Sequence, residues 1–209
     1  MYTPTHFAVD EEQAAAFLGR IEAADLVTMT EDGLAATFLP LLFVPELGAR
    51  GSLIGHVARK NDQWKRPAVG EALVIAHGED AYVHPGWYPS KAEHGRVVPT
   101  WNYTTAHVYG QLLIHDDEAW VDMAVRRLTS RQESGREHPW RVDDAPEAFR
   151  QGQLRAIVGV ELRISRVEAK FKMSQNQKDP NIDGVVAGLG GDGRPDVAAV
   201  VERLRPRRS

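Results

Sequence analysis

The order of apolar and polar positions along the chain predicts a β-structure with helices at its margins. Apolar residues recur at helical spacing after Asp10, and the pattern changes to alternation over residues 26–30. The turn Glu31-Asp32-Gly33 separates this run from a second one, residues 34–44, as in a β-hairpin. Pro40 lies inside the second run and favours an edge position or a bulge, because proline has no N–H for a sheet ladder.

The same two periods predict the remaining elements. Strand patterns cover residues 52–58, 72–76, 81–84, 104–115 and 157–173, and helical patterns cover 61–65, 116–128, 146–154, 182–189 and 196–204. The apolar positions of the last strand change parity, which predicts a bulge or bend near Ser165-Arg166. About seven short strands with few interleaved helices indicate an antiparallel barrel or sandwich, not a doubly wound parallel sheet.

Two segments are expected to lie outside this sheet. Residues 85–99 are rich in Pro, Gly, Lys and Glu, and we expect a surface excursion there. The run Gly188-Leu189-Gly190-Gly191-Asp192-Gly193 matches the glycine spacing of a dinucleotide-binding turn. That turn needs an acidic residue about 20 positions later, but the sequence ends 16 residues after Gly193. We therefore interpret the run as a loop between two helices.

Composition narrows the classes of protein. The 209 residues are 43% apolar and include no cysteine, so we expect one core without disulfides, in a cytoplasmic protein. No signal-peptide pattern opens the chain, and the longest apolar run is too short to span a membrane. The net charge of -4 does not support nucleic-acid binding, and we interpret the basic tail from Arg203 to Arg208 as a solvated end. The eight histidines show no close ligand pair, so no metal site is predicted.

Three polar segments carry candidate chemistry. Residues 55–65 run from a strand into a helical turn, with His56, Arg59 and Lys60 close together. Free backbone N–H groups and cations at such a junction suit a phosphate, although a solvated basic turn gives the same pattern. Residues 98–110 combine aromatic side chains with an amide, which suits either a flat heteroaromatic ligand or core packing. Residues 170–176 alternate lysines with apolar residues, which a plain strand and turn also explain.

The order of six blocks along the chain resembles the PaiB family of FMN-binding negative transcriptional regulators. The blocks are residues 1–7, 39–41, 55–61, 87–88, 98–103 and 170–176. The resemblance implies a split β-barrel of antiparallel strands with helical appendages, of the FMN-binding type and related to the pyridoxamine-phosphate oxidase fold. It also implies a homodimer, a barrel domain over residues 1–175, and a C-terminal helical extension, residues 176–209, packed on or across the dimer.

Carried over by position, the resemblance implies the following contacts with FMN. Backbone groups of Thr37, Phe38 and Leu39 line the isoalloxazine edge. The phosphate end lies at His56, Val57, Ala58, Arg59 and Asn61, with Lys60 departing from the small residue expected there. Near the ring lie Trp101 and Asn102, and Lys172, Ser174 and Gln175 approach from the same or the partner subunit.

The sequence leaves the activity open. The family name implies a regulator that lowers gene expression, but no basic recognition helix is evident, so regulation through a protein partner or redox sensing is an alternative to direct DNA binding. A flavin-dependent oxidoreductase or flavin reductase is the second hypothesis, supported only by analogy of fold. A haem-binding split barrel is the third.

Overall fold

The protein is described by a computed structural model covering residues 1–206, in which six strands form a closed β-barrel. Neighbouring strands follow the order β1-β2-β3-β6-β5-β4 around the barrel, and β4 pairs with β1. The strands are β1 (Ala23–Thr30), β2 (Gly33–Val44), β3 (Ser52–Ala58), β4 (Ala72–Val83), β5 (Thr100–His115) and β6 (Ile157–Lys172). This confirms the predicted split barrel of antiparallel strands. The predicted basic tail falls partly on residues 207–209, which lie outside the described residues.

Within residues 1–206, six α-helices and four short 3-10 turns connect and flank the strands. The helices are α1 (Glu11–Leu18), α2 (Ser90–His94), α3 (Glu118–Glu133), α4 (Glu147–Arg155), α5 (Asp179–Gly191) and α6 (Pro195–Arg203). The 3-10 turns are Thr5–Phe7, Asp62–Lys65, Pro85–Trp87 and Val142–Asp144. No helix among residues 1–206 is long and apolar enough to cross a lipid bilayer.

The predicted hairpin of β1 and β2 is confirmed, but the role of Pro40 differs from the expectation. Strand β2 pairs antiparallel with β1 as far as Pro40, and with β3 from Leu41 onward. Pro40 therefore lies where β2 exchanges one partner for another, and the predicted edge position is wrong. A residue without an N–H is tolerated there because the ladder toward β3 begins only at the next residue.

One strand prediction needs correction. Residues 72–76 and 81–84 were expected as separate strands, but β4 is continuous. The polar residues between them are mostly exposed, and backbone pairing continues through them because the ladder does not depend on side-chain polarity.

Strand β6 shows the expected change of parity: buried side chains stop alternating in phase after Ile164, and both Ser165 and Arg166 are exposed.

The chain divides into two compact units. The first unit contains Met1–Ala14, His77–Ala106 and the segment that begins at Glu168; the second contains Ala15–Ala76 and His107–Val167. The predicted domain boundary at residue 175, between the barrel and the C-terminal extension, stays a prediction.

The core of the first unit is formed largely by the two C-terminal helices. Ile182, Val185 and Leu189 of α5 pack with Val197 and Val201 of α6. Tyr88 is buried in the same cluster, so the segment 85–99 is not entirely the surface excursion that its composition indicates. The reason is that two aromatic side chains in a polar stretch supply enough apolar area to anchor it.

The glycine-rich run is helical as far as Gly191, so the predicted loop between the two helices begins only at Asp192. At Gly188 a Cβ atom would overlap the indole ring of Trp87, and at Gly184 it would overlap the Trp87 carbonyl oxygen. The glycines therefore permit close approach of helix and backbone, a use that glycine spacing alone does not reveal.

The core of the second unit lies between α3 and the strands β2 and β3. Val44, Ile54 and Ala124 are buried together, and Trp120 and Met123 pack against them. Asp117 caps α3 by accepting the N–H of Trp120 at 2.8 Å, as its position before the helical pattern predicts.

Candidate functional site

A buried glutamine joins the hairpin to the turn after β3. The amide nitrogen of Gln63 lies 3.1 Å from the carbonyl oxygen of Leu26, 3.2 Å from that of Ala35 and 3.0 Å from Thr28 Oγ1. Its carbonyl oxygen accepts a hydrogen bond from Thr37 Oγ1 at 2.5 Å. Every polar atom of this buried amide is satisfied, so the turn is held firmly against β1 and β2.

Two predicted site residues, Thr37 and Asn61, are in direct contact. Asn61 Nδ2 donates to Thr37 Oγ1 at 2.9 Å, and Asn61 Oδ1 accepts the backbone N–H of Gln63 at 2.9 Å. Asn61 is thus the N-cap of the turn Asp62–Lys65. One of the N–H groups expected to be free for a phosphate is therefore already occupied by a side chain.

Arg59 is held by groups of its own unit. Its guanidinium donates to Asp116 Oδ1 at 2.6 Å and to the carbonyl oxygens of Arg155 (2.6 Å) and Ile157 (3.1 Å). The hydrogen bond with Asp116 raises the pKa of Arg59 and lowers the pKa of the Asp116 carboxyl. The cation lies at the surface and ties the end of β3 to the junction of α4 and β6.

His56 lines a small apolar cavity in the second unit. This cavity measures about 220 Å³ and includes Trp140, Phe149 and Leu154 in its walls. His56 Nδ1 is buried and has no hydrogen-bond partner, and burial lowers the pKa of the imidazole. The neutral ring is therefore favoured, which does not suit charge pairing with a phosphate.

The other predicted residues of β2 and β3 differ in exposure. Leu39 and Val57 are buried, whereas Ala58 is exposed and 69% of Phe38 is accessible. The phenyl ring of Phe38 is thus available to a ligand or a partner, while Leu39 and Val57 are core residues.

Asn102 and Ser174 form a buried pair in the first unit. Ser174 Oγ donates to Asn102 Oδ1 at 3.1 Å, and Asn102 Nδ2 is buried without a partner. Ser174 has φ of 65°, in the left-handed region. Such a conformation costs a non-glycine residue about 1–3 kcal/mol and is concentrated at functional sites.

Lys172 and Gln175 bracket this pair. Lys172 Nζ donates to Thr100 Oγ1 at 2.7 Å and to the carbonyl oxygen of Trp101. Burial, and secondly the charge of Lys170, lower the pKa of Lys172. Gln175 fixes the turn after β6, because its side chain accepts the N–H of Met173 at 2.7 Å and donates to the Phe171 carbonyl at 2.6 Å.

These features fit a flavin. Buried side-chain atoms without a partner are rare in folded proteins, and within residues 1–206 two of them belong to predicted FMN contacts, Asn102 and His56. The amide of Asn102 has a free donor for a carbonyl oxygen of a flat ring. Trp101, 55% exposed beside Tyr82 with ring centroids 6.0 Å apart, offers an aromatic face.

Comparison with known families decides the identity of the chain. Residues 1–166 match the family described as "Putative FMN-binding domain". The chain belongs to this family. The resemblance drawn from six short blocks is therefore confirmed, and FMN is confirmed as the cofactor at the level of the family.

Proteins similar to this chain occur in a bacterium and in fungi. The chain is 27% identical to "Protease synthase and sporulation protein PAI 2" of Bacillus subtilis over 210 residues, which cover 99% of this chain and 98% of that protein. It is 32% identical over 183 residues to an uncharacterized protein of Emericella nidulans, covering 73% of each.

Solved structures share the fold at low sequence identity. The conserved hypothetical protein Rv2991 from Mycobacterium tuberculosis has a TM-score of 0.58 at 12% identity, covering 85% of this chain and 94% of that one. The flavocytochrome Anf3 from Azotobacter vinelandii has a TM-score of 0.58 at 15% identity, with coverage of 78% and 67%. The FAD and heme binding protein from Mycobacterium smegmatis has a TM-score of 0.56 at 16% identity, with coverage of 78% and 71%.

Sequence reasoning missed two residues that organise the candidate contacts of this family member. Gln63 was grouped with the basic turn, yet it is the centre of the hydrogen bonds that orient Thr37 and Asn61. Asp116 was read only as a helix start, yet it pairs with Arg59. An acid 57 positions away carries no local signal, and the cap before Gln63 is the only pattern that could have pointed to that turn.

Proposed function

We propose that the protein is an FMN-binding regulator that lowers gene expression in the cytoplasm through a protein partner or a change of flavin redox state. The buried, unpaired amide of Asn102 beside Ser174 is the observation that carries the flavin contact. The regulatory part is supported by the end-to-end likeness to the Bacillus subtilis protein named "Protease synthase and sporulation protein PAI 2".

Bound FMN supplies an isoalloxazine ring that can take up electrons. Each unit has its own candidate contacts with FMN, and each set is proposed by itself. In the first unit, Asn102 would donate to the ring edge, while Ser174 and Gln175 shape the backbone beside it. In the second unit, Arg59 would meet the phosphate dianion and Asn61 would orient the turn that presents it.

The phosphate contact of Arg59 can be separated from its structural role. We expect Arg59→Ala to weaken FMN binding about tenfold or more while changing riboflavin binding little, because only FMN carries the phosphate and a charge-assisted hydrogen bond is lost. Fluorescence titration of flavin-free protein with both ligands gives the two dissociation constants.

Asp116→Ala is the matched control. It breaks the pair with Arg59 but keeps the cation, so FMN binding should be unchanged or tighter. Equal loss of FMN and riboflavin affinity in Arg59→Ala, reproduced by Asp116→Ala, would show that Arg59 only holds the end of β3.

Direct DNA binding is not part of the proposal. The net charge is -4, which opposes the polyanionic backbone of DNA. An electrophoretic mobility-shift titration at several salt concentrations tests this point. A sequence-specific complex that survives physiological salt would require direct repression instead.

A flavin-dependent oxidoreductase is the second candidate function. It is favoured by the likeness in fold to a flavocytochrome and to a protein that binds FAD and heme, as those proteins are named. Steady NADPH or NADH oxidation by the FMN-loaded protein would favour this candidate, and a flavin that these donors do not reduce would count against it. A Soret band after addition of haem would support the haem-binding alternative.

A further inference from the structure

A cavity of about 530 Å³ opens within the first unit, beside the end of β6. Thr100 and Lys172 line it from β5 and β6, and Ser174 lines it just after β6. The segment with α2 lines a second side, and Lys178 and Pro180 line a third. Its volume falls in the range of about 300–1,000 Å³ that is typical of small-molecule sites.

Lys172 brings an unpaired cation to this cavity. Two of its three N–H donors are used by Thr100 Oγ1 and the Trp101 carbonyl oxygen, both neutral acceptors. No carboxylate among residues 1–206 forms an ion pair with its ammonium group, and the neighbouring charge that acts on it is that of Lys170. A half-buried ammonium without a counter-ion is unfavourable, so an anion that accepts the remaining N–H would be stabilised.

The other charged side chains around the cavity favour the same sign of ligand. Arg96 and Lys178 line it together with Lys172, whereas Glu93 is the only carboxylate among the described lining residues. A cavity lined mostly by one sign of charge concentrates ligands of the opposite sign.

The walls are apolar as well as charged. Phe7 and Tyr88 are both buried, and the Phe7 ring centroid lies 5.9 Å from Lys172 Nζ. Burial raises the pKa of the Tyr88 phenol, which therefore stays neutral. Aromatic surface next to one cation suits a small molecule with a flat apolar body and a single negative group.

We propose that this cavity binds a small aromatic carboxylate, with its carboxylate on Lys172 and its ring against Phe7 and Tyr88. Such a site goes beyond FMN binding and does not depend on it. The proposal differs from the family resemblance, which implies that Lys172 contacts FMN. Lys172 has only one N–H donor left, and here that donor binds the carboxylate of the small molecule.

The test is calorimetric titration of the full chain with sodium benzoate and with benzamide, its neutral isostere, in flavin-free and FMN-loaded protein. We expect benzoate to bind in both forms. Benzamide should bind at least about tenfold more weakly than benzoate, because it lacks the charge-assisted hydrogen bond. Absence of benzoate binding, equal binding of the two probes, or displacement of benzoate by FMN would each overturn the proposal.

Variants of lysine locate the carboxylate. Lys172→Met should lower benzoate affinity about tenfold or more, and Lys172→Arg should retain most of it because the charge remains. Lys91→Met is the matched control, since Lys91 is exposed on α2 and does not line the cavity. Circular dichroism melts of each variant report folding, and the comparison of benzoate with benzamide on the unaltered chain decides the question even if Lys172→Met does not fold. Loss of affinity in Lys91→Met equal to that in Lys172→Met would refute the assignment.

Discussion

At the scale of single residues, two buried side-chain amides differ in whether their hydrogen bonds are satisfied. Gln63 forms hydrogen bonds to β1 and β2 with all its side-chain donors and its acceptor. It thereby fixes the turn that contains Asn61. Asn102 is equally buried but leaves a donor unpaired. A satisfied amide stabilises the fold, whereas an unsatisfied one costs stability and is retained where a ligand completes it.

Replacement of Gln63 by glutamate should reveal this hub. Gln63→Glu keeps the shape but places a carboxylate, which only accepts, against the carbonyl oxygens of Leu26 and Ala35. We expect a loss of about 2 kcal/mol or more in the free energy of unfolding, because two buried acceptors lose their donor. Urea denaturation measures it. Gln111→Glu, at an exposed position of β5, is the control and should change stability little; similar losses in both variants would contradict the assignment.

At the scale of elements, a buried carboxylate connects β3, β5 and β6. Glu161 accepts hydrogen bonds from Ser52 Oγ (3.0 Å) and Arg163 Nε (3.0 Å), and its other oxygen lies 2.9 Å from His115 Nε2. Burial alone would raise the pKa of Glu161, but the hydrogen bonds from Arg163, His115 and Ser52 outweigh it, so the pKa is lowered.

The lowered pKa makes Glu161 a source of acid sensitivity. A carboxyl with a lower pKa in the folded state contributes stability above its unfolded pKa of about 4.3, and loses it as the pH falls through the folded pKa. Glu161→Gln should therefore cost about 1–3 kcal/mol at pH 7 and less at pH 3. Denaturant titrations at both pH values check this, with Glu12→Gln, an exposed carboxyl on α1, as control. A cost that does not shrink on acidification would exclude this role.

The sequence predicted elements better than it predicted contacts. Period and caps located the hairpin, β3 and α3, because those signals are local. They divided β4 in two, since exposed polar residues hide a continuous ladder, and they took the glycines before Asp192 for a loop, since the packing partner Trp87 is about a hundred positions away. The resemblance named Thr37 and Asn61, which contact each other, but their contact with FMN stays a prediction. The pairings of Arg59 and Gln63 come from tertiary structure alone.

At the scale of the whole molecule, an apolar stripe on the hairpin supports the homodimer that the family resemblance implies, which stays a prediction. Leu34 is 73% exposed and Phe38 69%, and Met29, opposite Leu34 in the ladder, is also exposed. Large apolar side chains on one face of a sheet mark an interaction surface. A second copy is the occupant we propose, because a two-fold axis lets the same stripe cover itself.

A charge in the stripe should separate the copies. We expect Phe38→Glu to convert the dimer into monomer at micromolar concentration, because two carboxylates would be buried against apolar side chains. Sedimentation velocity measures the mass. Phe149→Glu, at a phenylalanine 60% exposed on α4, is the control and should remain dimeric. A monomer in both variants, or in the unaltered chain, would remove this interface.

The fit of α5 against Trp87 has a consequence for the order of folding. Within its thirteen residues, the helix includes Gly184, Gly188, Gly190 and Gly191, and each glycine in a helix costs about 1 kcal/mol relative to alanine. On its own the segment is a poor helix, and its helical state depends on apolar partners that come much earlier in the chain. During synthesis the segment therefore becomes helical only after Trp87 and Tyr88 are in place. The folding of α5 depends in this way on the earlier folding of the rest of the first unit.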